Sequence, residues 1–337
     1  MYGVDNSSQT LIQLGNPAIY LDLQVRDFFL ATNLLVCGTA GLFGIVGNVI
    51  NIIVFYKQGY TDSVNITLTA LALSDMGALL TLQLINFLTN PWILHADIDT
   101  YPIDLCMMIA FYPHNYFIRV CGFVTSFASF ERCICVVSPL KVRNIITPKR
   151  ALVVNVLIFS ITTLALFPPY YIGYLDWTYI PAFNRTKLTV IYRQNPYTIF
   201  DVSYIVTDLV APYTTFFILI TSTSIIAIKL QGQAKWRTST VKSGTKISTK
   251  EKKTVVMLST ISIMFVVCLI PQSTVLTAMS FVQDLSYGGK YFDVTMLGYC
   301  VSYFSETILS SVNIFIYLRM SHKYRESFNN VFKMGAI

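Results

Sequence analysis

Four charged side chains lie inside long apolar stretches of this sequence. They are Asp75, Arg119, Asp208 and Glu306, and His114 lies close to the second of them. A charge removed from water is costly unless another group neutralises it. In such surroundings these residue types serve as polar contacts between helices, as ion or proton pathways, or as ligand-binding groups.

Each of these residues also has a purely structural interpretation. Asp75 could bond to neighbouring helices, and Arg119 and Asp208 could neutralise one another without excluding a ligand role. Glu306 has no evident basic partner in the sequence. Its carboxyl group would therefore be protonated, face a wet cavity or await a ligand cation.

The composition of the chain indicates a membrane protein. Of the 337 residues, 54% are hydrophobic and only 12% are charged, too few to cover the surface of a soluble domain. The net charge of +7 does not point to nucleic acid, because the basic residues fall in short stretches between apolar runs. The seven cysteines are spread along the chain without metal-ligand spacing, and their odd number argues against a disulfide scaffold, so neither a metal site nor such a scaffold is expected, and no cofactor is predicted.

Seven segments are long and apolar enough to cross a bilayer, which takes roughly 20 residues. Lipid offers no partner to the backbone of an open strand, so the segments are predicted to be helices. The fold class is an all-α, seven-transmembrane helix bundle in the lipid bilayer. The predicted spans are Phe28 to Tyr56, Ile66 to Thr89, Leu105 to Val136, Ala151 to Ile172, Val202 to Ile228, Thr254 to Gln283, and Val294 to Leu318.

The basic residues predict the orientation of these spans. With the amino terminus outside, 18 of the 24 Lys and Arg residues fall on the cytoplasmic side, whereas residues 91–104 carry three aspartates and no basic residue. The glycosylation sequons at Asn6 and Asn184 then lie outside. The prediction is a multi-pass protein of the plasma membrane with a cytoplasmic carboxy terminus.

The chain divides into three predicted regions, namely an extracellular segment 1–27, a membrane domain 28–318 and a tail 319–337. In the tail, Tyr324, Phe328, Val331 and Phe332 recur at helical spacing, which predicts a short amphipathic eighth helix. Prolines inside the spans remove backbone hydrogen bonds, so Pro212 and Pro271 are predicted hinges.

Short motifs, one in nearly every span and in the proper order, resemble those of rhodopsin-like (class A) G-protein-coupled receptors. The resemblance covers nearly the whole chain, and the family's fold is a seven-helix bundle. The matching residues are Gly47-Asn48-Val49, Leu71-Ala72-Leu73-Ser74-Asp75, Glu131-Arg132-Cys133, Pro212, Phe265 to Pro271, and Asn313-Ile314-Phe315-Ile316-Tyr317.

The resemblance implies roles for several of these residues. Arg132 would be the switch arginine, held by Glu131 and by Glu251 at the inner end of helix six, and released to a heterotrimeric G protein when that helix moves outward. Asn313 and Tyr317 belong to the same switch. A central polar network would comprise Asn48, Asp75, Ser310 and Asn313, with a sodium ion at Asp75.

The resemblance also implies an extracellular ligand bound among helices three, five, six and seven. His114 stands where amine receptors carry an aspartate, and helix seven has no lysine for retinal. A peptide ligand is therefore preferred, with a chemosensory small molecule next, as in divergent invertebrate receptors. The expected ligand-binding residues are Gln83, Phe111, His114, Asn115, Arg119, Asp208, Gln272 and Glu306.

The sequence departs from the family pattern at three informative places. Leu269 replaces the usual tryptophan of helix six, and Ile314 replaces the proline of helix seven. Cys106 stands where the family's disulfide begins, but residues 173–200 contain no cysteine. We therefore expect Cys106 to be unpaired unless Cys300 or another chain reaches it. The loop would then be ordered by its aromatic residues and by the β-prone stretch from Leu188 to Tyr192.

Three other functions compete with a signalling receptor. The altered switch residues suit a decoy receptor that binds without signalling, and ligand-dependent G-protein activation would separate the two. An ion-coupled transporter would show flux and usually internal repeats, which this sequence lacks. A membrane enzyme would need a catalytic motif, and none is found around the three histidines.

Overall fold

Seven long helices dominate the computed structural model, which describes residues 22–138, 145–181, 184–193, 197–239, 249–286 and 289–333. All seven are long and apolar enough to cross a membrane, which confirms the predicted seven-helix bundle. They are α1 Leu23–Gln58, α2 Ser63–Leu88, α3 Pro102–Val137, α4 Pro148–Ile172, α5 197–239, α6 Thr249–Phe281 and α7 Phe292–Met320.

Polar side chains fix where several helices begin. The carboxylate of Asp22 accepts a hydrogen bond from the backbone N–H of Gln24, and Asp62 does the same for Val64 at the start of α2. The hydroxyl of Thr147 caps α4, with a proline in the first helical turn. These groups satisfy backbone donors that a helix terminus leaves unpaired.

Helices α3 and α5 each contain a π-helical segment close to a proline. The segment Met107–Phe111 is followed by Pro113, and Ile205–Val210 is followed by Pro212. A proline has no N–H to donate and crowds the preceding turn, so a wider turn before it accommodates the ring. Pro271 lies inside α6. The hinge roles of Pro212 and Pro271 stay predictions.

A two-stranded antiparallel sheet covers one end of the bundle, which we call the hairpin end. Its strands are β1 Gly173–Ile180 and β2 Arg185–Tyr192, with Trp177 opposite Leu188. The predicted β-prone stretch thus forms part of β2. The pairing strand β1, which contains five aromatic or aliphatic side chains beside Asp176, was not predicted as a strand.

The opposite end of the bundle carries a short eighth helix and is called the α8 end. Helix α8, His322–Lys333, begins directly after Ser321 and confirms the predicted amphipathic helix. Its Tyr324 is only 1% exposed because the ring packs between Phe55 of α1 and Tyr317 of α7. This contact anchors α8 to the bundle.

The core lies along α2 and α3, which are the most enclosed of the seven helices, whereas α1, α4 and α5 expose most of their apolar surface. Helix α2 approaches α3 closely at Gly77, where an added Cβ would overlap the ring of Phe117. Close approach of two helices at a small residue is typical of packing inside a membrane.

Candidate functional site in the bundle interior

One ion pair joins α3 to α5 in the hairpin half of the bundle. The guanidinium Nη2 of Arg119 donates to Oδ1 of Asp208 at 2.5 Å, which confirms the pairing considered from the sequence. The π-helical segment Ile205–Val210 contains Asp208, and the hydroxyl of Thr207 donates to the other carboxylate oxygen at 2.6 Å. The pair therefore neutralises two charges in the interior of the bundle.

A second pair joins α3 to α7 and is fully buried. Nε2 of His114 lies 2.8 Å from Oε2 of Glu306, and the two side chains are 0% and 1% exposed. The expectation that Glu306 lacks a basic partner is therefore wrong. Nδ1 of His114 lies 3.1 Å from the carbonyl oxygen of Ala78, which can only accept, so Nδ1 carries a hydrogen. A further proton must lie between Nε2 and Glu306 for the 2.8 Å contact to be attractive.

A third polar contact joins α3 to α6. The amide of Gln272 donates to the side-chain oxygen of Asn115 at 3.1 Å, and both residues are buried. Asn115 lies one helical turn before Arg119 on α3. Within two turns of α3, His114 thus contacts α7, Asn115 contacts α6 and Arg119 contacts α5.

The two remaining ligand-site candidates lie at the edges of this region. Phe111, in the π-helical segment of α3, packs edge-on against Tyr299 of α7, with ring centroids 5.7 Å apart. Gln83 instead points towards α1, where its amide donates to the carbonyl of Cys37 at 3.2 Å. The structure therefore groups Phe111 with the α3 residues but separates Gln83 from them.

The predicted central polar network lies deeper, between α1, α2 and α7. Asn313 donates to Oδ2 of Asp75 at 2.7 Å, and the thiol of Cys121 donates to Oδ1. Asn48 donates to the backbone carbonyl of Ser310 at 2.8 Å. The sodium ion at Asp75 stays a prediction.

The network continues to the α8 end through two residues that sequence reasoning missed. Asn51 donates to Oδ1 of Asn48 at 3.3 Å, and the hydroxyl of Tyr324 donates to Oδ1 of Asn51 at 2.6 Å. Tyr324 was predicted only as part of an apolar helix face. Its hydroxyl bond to Asn51 and its ring contact with Tyr317 place α8 in contact with the interior network.

The arginine switch region lies at the α8 end of α3. Glu131 is 1% exposed and accepts from the hydroxyl of Thr67 of α2 at 3.4 Å. Nε of Arg132 has no hydrogen-bond partner among the described residues. The side chain of Glu251, on α6, lies outside the described residues. The switch roles of these residues stay proposals.

Polar contacts replace the missing disulfide at the hairpin end. All seven cysteines are described and none is bonded to another, including the buried Cys106. Instead, the backbone N–H of Leu188 donates to the carbonyl of Asp99 at 2.8 Å, and Tyr101 donates back to Leu188 at 3.0 Å. Asp104 accepts from the hydroxyl of Thr189 and from the backbone of Val190.

An exposed ion pair reinforces this attachment. Arg185 of β2 contacts the carboxylates of Asp97 and Asp99. The hydrogen bond from Arg185 holds the pKa of Asp97 below its usual value of 3.8. Strand β2 is thus fixed to residues 97–104 by backbone pairing and by charge.

The two predicted glycosylation sites differ in what the structure describes. Asn184 lies exposed in the turn between β1 and β2 with a left-handed φ of 50°, and its side-chain oxygen accepts from the hydroxyl of Tyr179 at 2.6 Å. Asn6 lies outside the described residues. Glycosylation at both positions stays a prediction.

Seven apolar helices around a polar interior define a multi-pass membrane protein. The chain belongs to the rhodopsin family of seven-transmembrane receptors, because the model of the family described as 7 transmembrane receptor (rhodopsin family) matches residues 47–317. The match runs from the Gly47-Asn48 motif of α1 to Tyr317 of α7 and confirms the resemblance found in the motifs. A search of curated proteins finds no match.

Proposed function

We propose that the protein is a G-protein-coupled receptor of the plasma membrane. Its hairpin end faces outward and binds an extracellular ligand, and its α8 end faces the cytoplasm and activates a heterotrimeric G protein. The distribution of basic residues supports this orientation. The ligand is a peptide by preference, with a chemosensory small molecule as the next choice.

The observation that carries the proposal is the position of α3 at the centre of three polar contacts. Its residues His114, Asn115 and Arg119 hold α7, α6 and α5 respectively. A ligand that competes for any of these contacts would change how the three helices pack against α3. The ligand would then bind more tightly to the conformation in which the contact is broken than to the one in which it is intact. This difference in binding free energy is what shifts a conformational equilibrium.

In the proposed mechanism, α6 moves outward at the α8 end and Arg132 gains a backbone carbonyl of the G protein as its partner. Arg132 suits this role because its side chain is 8% exposed and its Nε has no partner among the described residues. Asn313 and Tyr317 would relay the change along α7 through the network at Asp75.

The experiment uses cells that express the chain, a library of peptides and small molecules, and guanine-nucleotide exchange as the readout. We expect at least one compound to accelerate exchange. The substitution Arg132→Ala should abolish this response while the variant still reaches the surface and binds the compound. Unchanged signalling by Arg132→Ala would remove the assignment of the switch.

A decoy receptor is the second candidate, favoured by Leu269 and Ile314 at switch positions. A decoy would bind a compound from the same library without accelerating nucleotide exchange on any G-protein class. Saturable binding with no exchange would therefore select this alternative.

A further inference from the structure

Arg119 and Asp208 differ in how many of their hydrogen-bonding groups are in use. Oδ1 of Asp208 accepts from Arg119, and Oδ2 lies 2.6 Å from the hydroxyl of Thr207, whose one hydrogen is shared with the carbonyl of Ser203. Among the described residues Arg119 donates only through Nη2, although a guanidinium has five N–H donors. The arginine thus retains capacity for a further acceptor, whereas Oδ1 of the aspartate already accepts from the arginine.

The Arg119–Asp208 pair also differs in exposure from the other charged pair of the interior. The side chains of Arg119 and Asp208 are 11% and 13% exposed, whereas those of His114 and Glu306 are 0% and 1% exposed. Nε of Arg132 is buried and has no hydrogen-bond partner among the described residues. No nitrogen of Arg119 is both buried and without a partner in this way. The unused donors of Arg119 therefore border accessible space, while Glu306 is sealed behind His114.

We infer that Arg119 is the recognition group for a ligand that presents a carboxylate, and that Asp208 is hydrogen-bonded to this arginine when the ligand is absent. This inference rests on the proposed function, since it names the ligand chemistry of the same site. The planar fork of a guanidinium matches a carboxylate and can bind it through two parallel hydrogen bonds. The ligand carboxylate competes with Asp208 and loosens the contact between α3 and α5.

The competition predicts opposite effects for the two partners. Asp208→Asn removes the internal competitor but leaves the arginine, so a carboxylate should bind more tightly. Arg119→Gln removes the recognition group, so a carboxylate should no longer bind. A ligand recognised through an ammonium group would show the reverse pattern, because Asp208 would then be its partner.

The test measures thermal unfolding of the purified receptor with three probes of similar shape, namely benzoate, benzamide and benzylamine. An aromatic ring suits a half of the bundle that already contains the stacked pair Tyr299 and Tyr303. We expect benzoate alone to raise the unfolding temperature of the wild type. In Asp208→Asn its half-saturating concentration should fall about tenfold, a factor that corresponds to about 1.4 kcal/mol, and in Arg119→Gln the effect should vanish.

The doubly substituted Arg119→Gln/Asp208→Asn variant has no unpaired charge and serves as the folding control. If Asp208→Asn does not fold, Arg119→Lys provides the second comparison. Lysine keeps the positive charge but lacks the planar guanidinium that binds a carboxylate through two hydrogen bonds, so benzoate should bind this variant more weakly than the wild type. Equal effects of benzoate and benzamide would overturn the inference. So would stabilisation by benzylamine that Asp208→Asn abolishes.

These outcomes do not depend on a G protein, so they are separate from the test of the proposed function. The source of the carboxylate is then found with paired compounds, each peptide as its free acid and its amide and each small acid as its amide. Nucleotide exchange that requires the peptide acid identifies a peptide ligand, and exchange that requires the small acid identifies a small carboxylic acid. An agonist that works equally well without any carboxylate would refute the inference while leaving the receptor function intact.

Discussion

At the scale of single residues, the interior charges are neutralised in pairs. His114 and Glu306 lie 192 positions apart in sequence, and the sequence alone gave no reason to pair a histidine on α3 with an acid on α7. The Arg119–Asp208 pair was foreseen because it joins the two most evident opposite charges among the spans. Geometry between helices, rather than residue type, decides which buried groups meet.

The His114–Glu306 contact predicts different outcomes for two substitutions. In Glu306→Gln the amide can donate to Nε2 of a neutral histidine, so the free energy of unfolding should change by about 1 kcal/mol or less. In His114→Leu the carboxylate keeps no partner in a buried site, which should cost about 3–5 kcal/mol. Thermal unfolding of the two purified variants measures the difference, and equal losses would contradict the assigned contact.

The exposed Arg185–Asp97 pair predicts a pH dependence at the hairpin end. Because Arg185 lowers the pKa of Asp97, the pair stabilises the attachment of β2 above the ordinary value of 3.8 and is lost as the pH falls below it. At pH 6, hydrogen exchange at the amides of Leu188 and Tyr101 should be slower in the wild type than in Arg185→Gln. The difference should shrink as the pH falls from 3.8 through the lowered pKa of Asp97, and a difference that does not shrink on acidification would argue against the pair.

At the scale of elements, the sequence predicted the helices better than their irregularities. Uninterrupted apolar runs located all seven spans, and the spacing of Tyr324 and Phe328 located α8. The π-helical segments near Pro113 and Pro212 were not predicted, because a proline indicates strain but not how the preceding turn relieves it. Strand β1 was missed because its pairing depends on β2, which a local pattern in β1 does not reveal.

The contact of α2 with α3 predicts a strong effect at one glycine. In Gly77→Ala the new methyl group would overlap the ring of Phe117, and such overpacking costs about 1–3 kcal/mol. We expect lower surface expression and a lower unfolding temperature. Gly38→Ala is the matched control, because the nearest atom to its Cβ would be 3.7 Å away. Equal behaviour of the two variants would show that the helices do not approach closely at Gly77.

At the scale of the whole molecule, the bundle has two ends with different chemistry. The hairpin end attaches its sheet through Asp97, Asp99 and Asp104 without a disulfide. At the α8 end, Tyr324 connects the eighth helix to the network around Asp75 through Asn51 and Asn48. Hydrophobicity and motif order sufficed to predict the fold and the two ends, whereas the ligand-contact geometry depended on helix packing that no local pattern encodes.

The central claim is that the two ends face opposite sides of the plasma membrane, with the hairpin end outside. Single cysteines introduced by Asn184→Cys in the hairpin and by Glu326→Cys in α8 can be labelled with a membrane-impermeant thiol reagent. In intact cells Asn184→Cys should be labelled, and Glu326→Cys only after permeabilisation. Labelling of both positions in intact cells, or of Glu326→Cys alone, would contradict the receptor account.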